Sequence, residues 1–474
     1  MTSALTTRLD AGGVSPARPH AARFSPPNKG GVTAKASHRP RFGRAALSLS
    51  VLLALGAPAA ADSPHEVWAI DQSNSPGKSF GGRIFIWEGH EISARPAEAV
   101  PEIVDLSGPV SVLCRAQTGI DPVRPHMLAF NAAQTHAIVS FVTTGHVVFL
   151  DAATRAPLAC IRTSVGLGGA RQVHFAIPSP DESYVAVANQ NGKLFERIDT
   201  DYATNTFTLN PAATINLFTC TTPNGLPCEQ AGLRNDNAPI CPIIDATSRY
   251  SFVTMRGGGL FVVDSKATPM QIVAEYDRDS IHPNGCLGAE TAGKMYIDSG
   301  GGTPTNIFEA DLYALPVTGY SPDNPPNTPA PQVVFSEDVD GADTHGAALV
   351  QHGRYLWVAD RGRNFLFVVD TEVDEEVNRI DLVGPASDDP TPDLLFPSPQ
   401  GTRVYTSLRG PNPLTADPHV STGSTPGVGV IKVKQGGRSG RLYGIARVSN
   451  VDAAGIERAD VHALAMRRTS RCPR

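Results

Sequence analysis

Four histidines occupy the same position of a short recurring phrase, in which a turn is followed by a His and then by an apolar run. They are His126, His174, His345 and His462, and Asp393 opens the corresponding run of another copy. Because equivalent residues of a repeated unit lie at equivalent places in a fold, we expect these side chains around one opening. Neutral imidazoles and a carboxylate are ligands for copper, iron or zinc. The sequence therefore predicts a candidate site for a transition metal such as copper or iron. The alternative is that these polar side chains line a water-filled channel.

An Arg-Gly pair recurs directly after an apolar run in three of the repeats, at Arg256, Arg361 and Arg409. Guanidinium groups carry forked donors that match a carboxylate or a phosphate, so three of them at one opening favour an anionic ligand. The alternative is a solvated charge beside a Gly that the turn requires. We also expect His282 on this face, together with His419, which lies within a long insert, and both complete the candidate ligand-binding set.

The elements that position these side chains are apolar runs of four to six residues bounded by Gly, Pro, Asn or Asp, a pattern typical of strands. The first run of a repeat is followed by a second, as at Tyr184–Asn189, then by a third after a tight turn, as at Phe365–Asp370, and by a fourth. Each repeat is therefore expected to form a four-stranded antiparallel meander. Such a sheet cannot bury both faces alone, so the sequence predicts an all-β ring of blades, a β-propeller.

The two ends of the chain are expected to complete one blade. Runs at residues 67–71 and 83–87 and near residue 104 correspond to the second, third and fourth strands of a repeat, whereas residues 459–467 form a first strand with no strand after it. We count seven first strands, at His126, His174, Cys241, about Asn284, His345, Asp393 and His462. The prediction is a seven-bladed β-propeller over residues 62–468, closed by pairing the C-terminal strand with the N-terminal blade, and a tail at 469–474.

Two copies of the repeat, at residues 179–189 (Ser-Pro-Asp-Glu-Ser-Tyr-Val-Ala-Val-Ala-Asn) and 367–380, resemble the bacterial YVTN-type propeller repeat. That superfamily includes lactonase-like enzymes, streptogramin lyases and the haem-binding propellers of nitrite reductases. The resemblance implies the architecture and little chemistry. The chain has no Cys-x-x-Cys-His haem-attachment motif, no Gly-x-Ser-x-Gly elbow and no phosphate loop.

Residues 1–61 are predicted to be an export signal with a disordered leader, removed in the mature protein. Arg39, Arg41 and Arg44 precede the apolar stretch 45–55, and small residues then lead to Asp62, the expected mature start. Removal takes away eight basic residues and one acidic residue, which changes the formal net charge from −6 to about −13. This negative net charge makes a nucleic-acid partner unexpected. The apolar stretch is too short for a membrane anchor. We expect a periplasmic or secreted protein.

Export also changes the interpretation of the seven cysteines. Cys220 and Cys228 enclose a short polar loop and are a good candidate for a disulfide in an oxidising compartment. Further possible pairs are Cys114 with Cys160 and Cys241 with Cys286, which would leave Cys472 free.

The favoured function is an exported binding protein that holds a small, anionic ligand or a protein partner at the channel mouth. The alternatives are a metal- or haem-dependent oxidoreductase, or a lyase that uses one of the histidines as a general base. No acid, base and nucleophile set stands out that would favour an enzyme.

Overall fold

The computed structural model describes residues 63–300, 309–323, 328–414 and 421–469. The predicted leader at 1–61, His419 and Cys472 lie outside these residues. The described strands form seven separate antiparallel sheets, each built around a four-stranded meander, and the seven-bladed β-propeller is confirmed.

The strands follow in chain order, one blade after another. The first blade contains β1 (His65–Asp71), β2 (Arg83–Glu88) and β3 (Glu102–Asp105), and the second contains β4 (Pro125–Phe130), β5 (His136–Phe141), β6 (His146–Asp151) and β7 (Pro157–Arg162). The third contains β8 (Val173–Pro178), β9 (Tyr184–Asn189), β10 (Leu194–Asp201) and β11 (Thr206–Leu209), with β12 (Ile215–Asn216) also paired to β10. The fourth contains β13 (Pro239–Ile244), β14 (Tyr250–Met255), β15 (Leu260–Asp264) and β16 (Gln271–Tyr276).

The last three blades follow the same order. The fifth contains β17 (Gly288–Thr291), β18 (Lys294–Gly300), β19 (Glu309–Pro316) and β20 (Gln332–Asp338). The sixth contains β21 (Thr344–Val350), β22 (Tyr355–Asp360), β23 (Phe365–Asp370) and β24 (Glu375–Asp381). The seventh contains β25 (Pro392–Pro397), β26 (Arg403–Leu408), β27 (Gly427–Lys434) and β28 (Ser439–Arg447), and β29 (Val461–Arg468) ends the described fold.

Two short helices interrupt the strand pattern, α1 (Gly89–Ala94) and α2 (Pro109–Thr118). The sequence pattern did not predict them, because neither is long enough to show a sustained helical period. Single 3-10 turns occur at Pro96–Glu98, Leu167–Gly169, Pro211–Ala213 and Gln435–Gly437. Within the described residues, the structure contains no helix long and apolar enough to cross a membrane.

The ring closes as predicted, because β29 pairs antiparallel with β1 from His65 opposite Arg468 to Asp71 opposite Val461. The first strand of the fifth blade is displaced from its expected place near Asn284 and begins at Gly288. The segment before it, which contains Pro283 and Gly285, does not continue the strand, and β17 is correspondingly short.

The core lies between neighbouring blades, where the apolar side chains of adjacent sheets interdigitate. Trp68, Trp87 and Trp357 are fully buried there. The structure confirms three disulfides, Cys114–Cys160, Cys220–Cys228 and Cys241–Cys286. The first of these joins α2 to the outer strand of the second blade.

Removing residues 459–474 is expected to abolish cooperative thermal melting, because β1 would become a bare inner edge and the buried Val461 and Leu464 would be lost. A milder variant, Leu464→Ala, should cost about 2–5 kcal/mol of unfolding free energy, measured by denaturant titration. Deleting only residues 470–474 is the control and should leave the melting temperature unchanged. An unchanged melting curve for the longer truncation would contradict ring closure.

Candidate functional site

The five residues predicted to converge share one structural position. His126, His174, His345, Asp393 and His462 are each the second residue of the first strand of their blade. The pairing register between the first and second strands shifts around each of them, as it does between Pro125 and Leu128. Such bulges change the direction in which a side chain points and are frequent beside functional sites. The repeat therefore places five polar side chains at one end of the inner strands.

The four imidazole rings lie side by side. The ring centroids of His126 and His462 are 4.0 Å apart with the planes inclined by 27°. His174 contacts His126 at 4.5 Å, and His345 contacts His462 at 5.3 Å. The expected convergence of the histidines is therefore present, and whether they bind a metal stays a prediction.

Asp393 joins two of these histidines. Its Oδ2 accepts a hydrogen bond from Nδ1 of His462 at 2.6 Å, and its Oδ1 lies 2.5 Å from Nδ1 of His345. The ligand atoms of these three residues all lie within 4.8 Å of one another. The three side chains are almost completely buried.

Burial sets the protonation of this group. It lowers the pKa of His126 and His174 well below the usual range, with a further contribution from the neighbouring imidazoles, and it lowers the pKa of His345 to about 3. Burial alone would raise the pKa of Asp393, but His462, His345 and Arg361 outweigh it and hold that pKa well below its ordinary value. At neutral pH the site therefore holds neutral imidazoles beside an ionised carboxylate.

Two of the imidazoles present a buried nitrogen without a hydrogen-bond partner. Nδ1 of His126 donates to Oε1 of Gln72 at 2.7 Å, and Nδ1 of His462 donates to Asp393. Because these oxygens only accept, the proton of each neutral ring is on Nδ1 and the lone pair is on Nε2. Among the described residues, neither Nε2 has a hydrogen-bond partner. A metal-ligating histidine is commonly arranged in this way, with its other nitrogen fixed by an oxygen.

The arginines predicted to bind an anion are all paired with carboxylates. Arg409 donates two hydrogen bonds to Asp460, at 2.7 and 2.9 Å, and one to Asp393 at 2.9 Å. Arg361 donates to Asp343 at 2.6 Å, and one of its other nitrogens lies 3.7 Å from Asp393.

Arg256 lies in the fourth blade, where it donates to Asp236 at 2.6 Å and to Asn191 at 3.0 Å. Its side chain is 39% exposed, compared with 3% for that of Arg409. The glycine after the arginine has a steric reason in two copies, because a Cβ at Gly410 would lie 1.8 Å from the carbonyl oxygen of Ala459 and one at Gly257 would lie 2.5 Å from the nitrogen of Asp236. In these two copies the arginine therefore forms an ion pair with an aspartate, and the glycine leaves room for the backbone of the segment that carries this aspartate.

The charged side chains around the histidines have no excess of positive charge. Three carboxylates, Asp343, Asp393 and Asp460, meet two guanidiniums, Arg361 and Arg409. Burial raises the pKa of Asp343, to about 6, which still leaves it mostly ionised at neutral pH. With neutral imidazoles the group has a net charge near −1, a balance that favours a cation over an anion.

The remaining predicted site residue within the described chain is His282. Its Nδ1 lies 2.9 Å from Oδ2 of Asp311, and its ring makes an edge contact with Tyr313. It lies in the connection between the fourth and fifth blades, before β17.

Three residues of the site were missed from the sequence: Gln72, Asp343 and Asp460. The two aspartates carried a signal, since each stands two residues before a site histidine, in Asp343-Thr-His345 and Asp460-Val-His462. No sequence pattern marked Gln72 as a site residue, because it lies near the opposite end of the chain and reaches the site only through ring closure.

The other end of the channel is apolar. A pocket of about 470 Å³ lies between the later residues of the first strands and is lined by residues that include Leu128, Phe175, Leu287, Leu394 and Phe396. Several of these side chains also belong to one buried cluster with Cys241 and Cys286. The polar site and the apolar pocket are therefore formed by different parts of the same inner strands.

Comparison with known proteins gives structural likenesses only. No protein-family model matches the chain, and no curated protein matches it. Solved structures similar to it include a protein from Lactobacillus plantarum (11% identity, TM-score 0.54, covering 85% of this chain and 99% of that one) and a periplasmic gluconolactonase from Pseudomonas aeruginosa (14%, 0.52, 85% and 99%). Another is a putative 6-phosphogluconolactonase from Bacteroides fragilis (11%, 0.51, 86% and 99%). These likenesses show the fold alone. The finer resemblance to the YVTN-type repeat stays a prediction.

Arg409→Gln is expected to lower the unfolding free energy by about 3–5 kcal/mol, because it leaves the buried Asp460 without its cation and Asp393 with only the more distant Arg361. The matched control is Arg256→Gln, which breaks the same kind of pair at a partly exposed place and should cost about 1 kcal/mol or less. Denaturant titration of both variants measures the difference. Equal losses would contradict the assignment of Arg409 as the buried counter-ion.

Proposed function

We propose that this protein is an exported β-propeller that binds one divalent transition-metal ion at the polar end of its channel. The observation that supports the proposal is the grouping of His345, Asp393 and His462, whose ligand atoms lie within 4.8 Å of one another. Imidazole nitrogen suits iron, zinc or copper, and Asp393, whose Oδ2 accepts the Nδ1 hydrogen of His462, adds a negative charge beside the nitrogen donors.

The surrounding charges favour the same interpretation. The three carboxylates exceed the two guanidiniums by one, so a divalent cation compensates a negative excess in a place from which water is largely excluded. The neutral imidazoles need no deprotonation before they bind a metal. Asp393 already has its proton removed, because its pKa is held low.

His126 adds a third nitrogen donor beside this group. Its Nε2 is buried and has no hydrogen-bond partner among the described residues, and its ring stacks on that of His462. Gln72 holds the other nitrogen, and Gln72 donates in turn to Asp460 at 2.5 Å. This chain of hydrogen bonds fixes the ring orientation, as outer residues do around ligating histidines.

An anionic ligand or a protein partner at this mouth receives less support from the contacts. Arg361 and Arg409 are engaged by Asp343, Asp393 and Asp460, so an anion would have to displace buried carboxylates. Arg256 is the exception, since it is partly exposed, but it is paired with Asp236. Metal binding is therefore the function that we put forward, and no reaction is assigned to it.

Metal binding is tested on the mature protein after chelator treatment, by titration with Zn²⁺, Cu²⁺ and Fe²⁺ separately and elemental analysis by mass spectrometry. We expect one equivalent of at least one ion and a higher melting temperature, with a stabilisation of about 2.7 kcal/mol at a free metal concentration of 100 times Kd. His345→Gln and His462→Gln should each weaken binding by about 100-fold or more, since even the loss of an outer partner costs about 10- to 100-fold.

His90→Gln is the control, because this histidine is exposed on α1, and it should leave the affinity unchanged. Both site variants must still melt cooperatively. Absence of a stoichiometric ion, or full affinity in the double variant of His345 and His462, would overturn the proposal.

Export is the second part of the proposal, and three disulfides support it because they are typical of oxidising compartments. Expression of the full chain in a bacterium should give a mature protein that begins at Asp62, as read by N-terminal sequencing. A product from the cytoplasm that retains residues 1–61 would contradict it.

A further inference from the structure

One inner disulfide lies directly beside the row of histidines. Cys241 belongs to β13 and Cys286 stands just before β17, so their bond connects the inner ends of the fourth and fifth blades. Sγ of Cys241 lies 3.8 Å from Nδ1 of His174, and both cysteines are fully buried. The fourth and fifth blades are also those that have neither a histidine nor an aspartate at the second position of the first strand.

The spacing of these three side chains matches a metal site. The ligand atoms of His174, Cys241 and Cys286 lie within 4.8 Å of one another. Zinc bond lengths of about 2.3 Å to sulfur and about 2.0–2.1 Å to nitrogen place a sulfur and a nitrogen of one tetrahedral ion about 3.6 Å apart. The observed separation of 3.8 Å between Cys241 and His174 is close to that value.

The backbone around both cysteines is held by contacts other than the disulfide. The nitrogen of Cys241 donates to Thr254 Oγ1 at 3.2 Å, and Thr254 Oγ1 donates in turn to the carbonyl oxygen of Gly285 at 2.5 Å. The nitrogen of Cys286 donates to Oδ1 of Asp298 at 2.9 Å. The two sulfurs should therefore stay within reach of one ion after the bond between them is broken.

We propose that His174, Cys241 and Cys286 form a second metal site, which a dithiol reductant opens and which takes a thiolate-preferring ion such as Zn²⁺. The reductant transfers two electrons and two protons to the disulfide and becomes a disulfide itself. The two thiols then release their protons to water as they bind the ion. Two thiolates and one divalent cation add up to zero charge, which suits a fully buried place. The site does not depend on the metal bound at His345, Asp393 and His462.

Three protein ligands of this kind leave one coordination position open, as in zinc sites with two Cys and one His. Soft sulfur ligands separate this site from the one next to it, which offers nitrogen and oxygen. The neighbouring ring of His126 contacts His174, so the two sites would lie next to each other at the same end of the channel.

The experiment measures bound Zn²⁺ in the mature protein before and after treatment with dithiothreitol under non-denaturing conditions. We expect one additional equivalent after reduction, with Co²⁺ as a second probe that should give a thiolate-to-cobalt charge-transfer band in the near ultraviolet. Only the increment tests this proposal, whereas the amount bound before reduction tests the first site.

Matched variants assign the increment. Cys286→Ser should abolish it and the cobalt band, while the double variant Cys220→Ser with Cys228→Ser, which removes a disulfide elsewhere, should retain both. His174→Gln keeps the two thiols and should weaken the second equivalent by about 10-fold or more. Alkylation and mass spectrometry report which cysteines have been reduced.

Several results would overturn the proposal. They are an increment that persists in Cys286→Ser, free thiols at Cys241 and Cys286 without an increment, and a disulfide that stays oxidised in the folded protein. A cooperative melting transition after reduction shows that the measurement was made on folded protein.

Discussion

The pairing of β29 with β1 is the constraint on which the rest of the structure depends. It brings together residues that lie almost 400 positions apart in the chain, since Asp71 is opposite Val461. The backbone nitrogen of Asp460 donates to Oδ1 of Asp71 at 3.0 Å, and that of Gln72 donates to the carbonyl oxygen of Asp460 at 3.0 Å. Without this closure a ring of sheets would keep an open edge. The same pairing delivers His462 and Asp460 to the channel, so the last strand completes both the fold and the candidate site.

Burial of charge determines how the polar end is built. Four charged side chains stand there with almost no exposure to solvent, a fifth, that of Arg361, is 13% exposed, and each of them has a partner of opposite charge. Because an unpaired buried charge costs several kcal/mol, the arginines predicted to hold a ligand are used to compensate aspartates. The imidazoles respond to the same burial in the opposite sense, since their charged form is the one that is penalised, and they remain neutral. The result is a set of nitrogen donors held in place by an ion-pair network.

The sequence was sufficient to predict the ring, the number of blades and the meeting of the histidines, because these follow from a repeat and from the count of its strands. It was not sufficient to predict the bulges around His126 or Asp393, since register depends on hydrogen bonds that a repeat pattern does not encode. It also did not predict the partner of Arg409. That partner, Asp460, comes from the next blade around the ring and is recognisable only after closure is known. The predicted start of β17, near Asn284, was wrong because the segment before Gly288 is irregular and does not continue the strand.

The ring nitrogens of His126 and His462 bear on the two interpretations that the sequence left open, a metal site and a water-filled channel. A histidine that only stabilises neighbouring blades is expected to use both ring nitrogens, as His146 does with Thr118 and Thr144 at 2.8 Å each. His126 and His462 use one nitrogen each, and the lone pair of the other is buried without a hydrogen-bond partner in the described part of the chain. A buried polar atom without any hydrogen bond costs about 1–3 kcal/mol, so each of these nitrogens is expected to bind either a metal ion or water. Their cost is offset if each lone pair binds a ligand, and a ring with an oxygen fixed on Nδ1 is prepared for a cation.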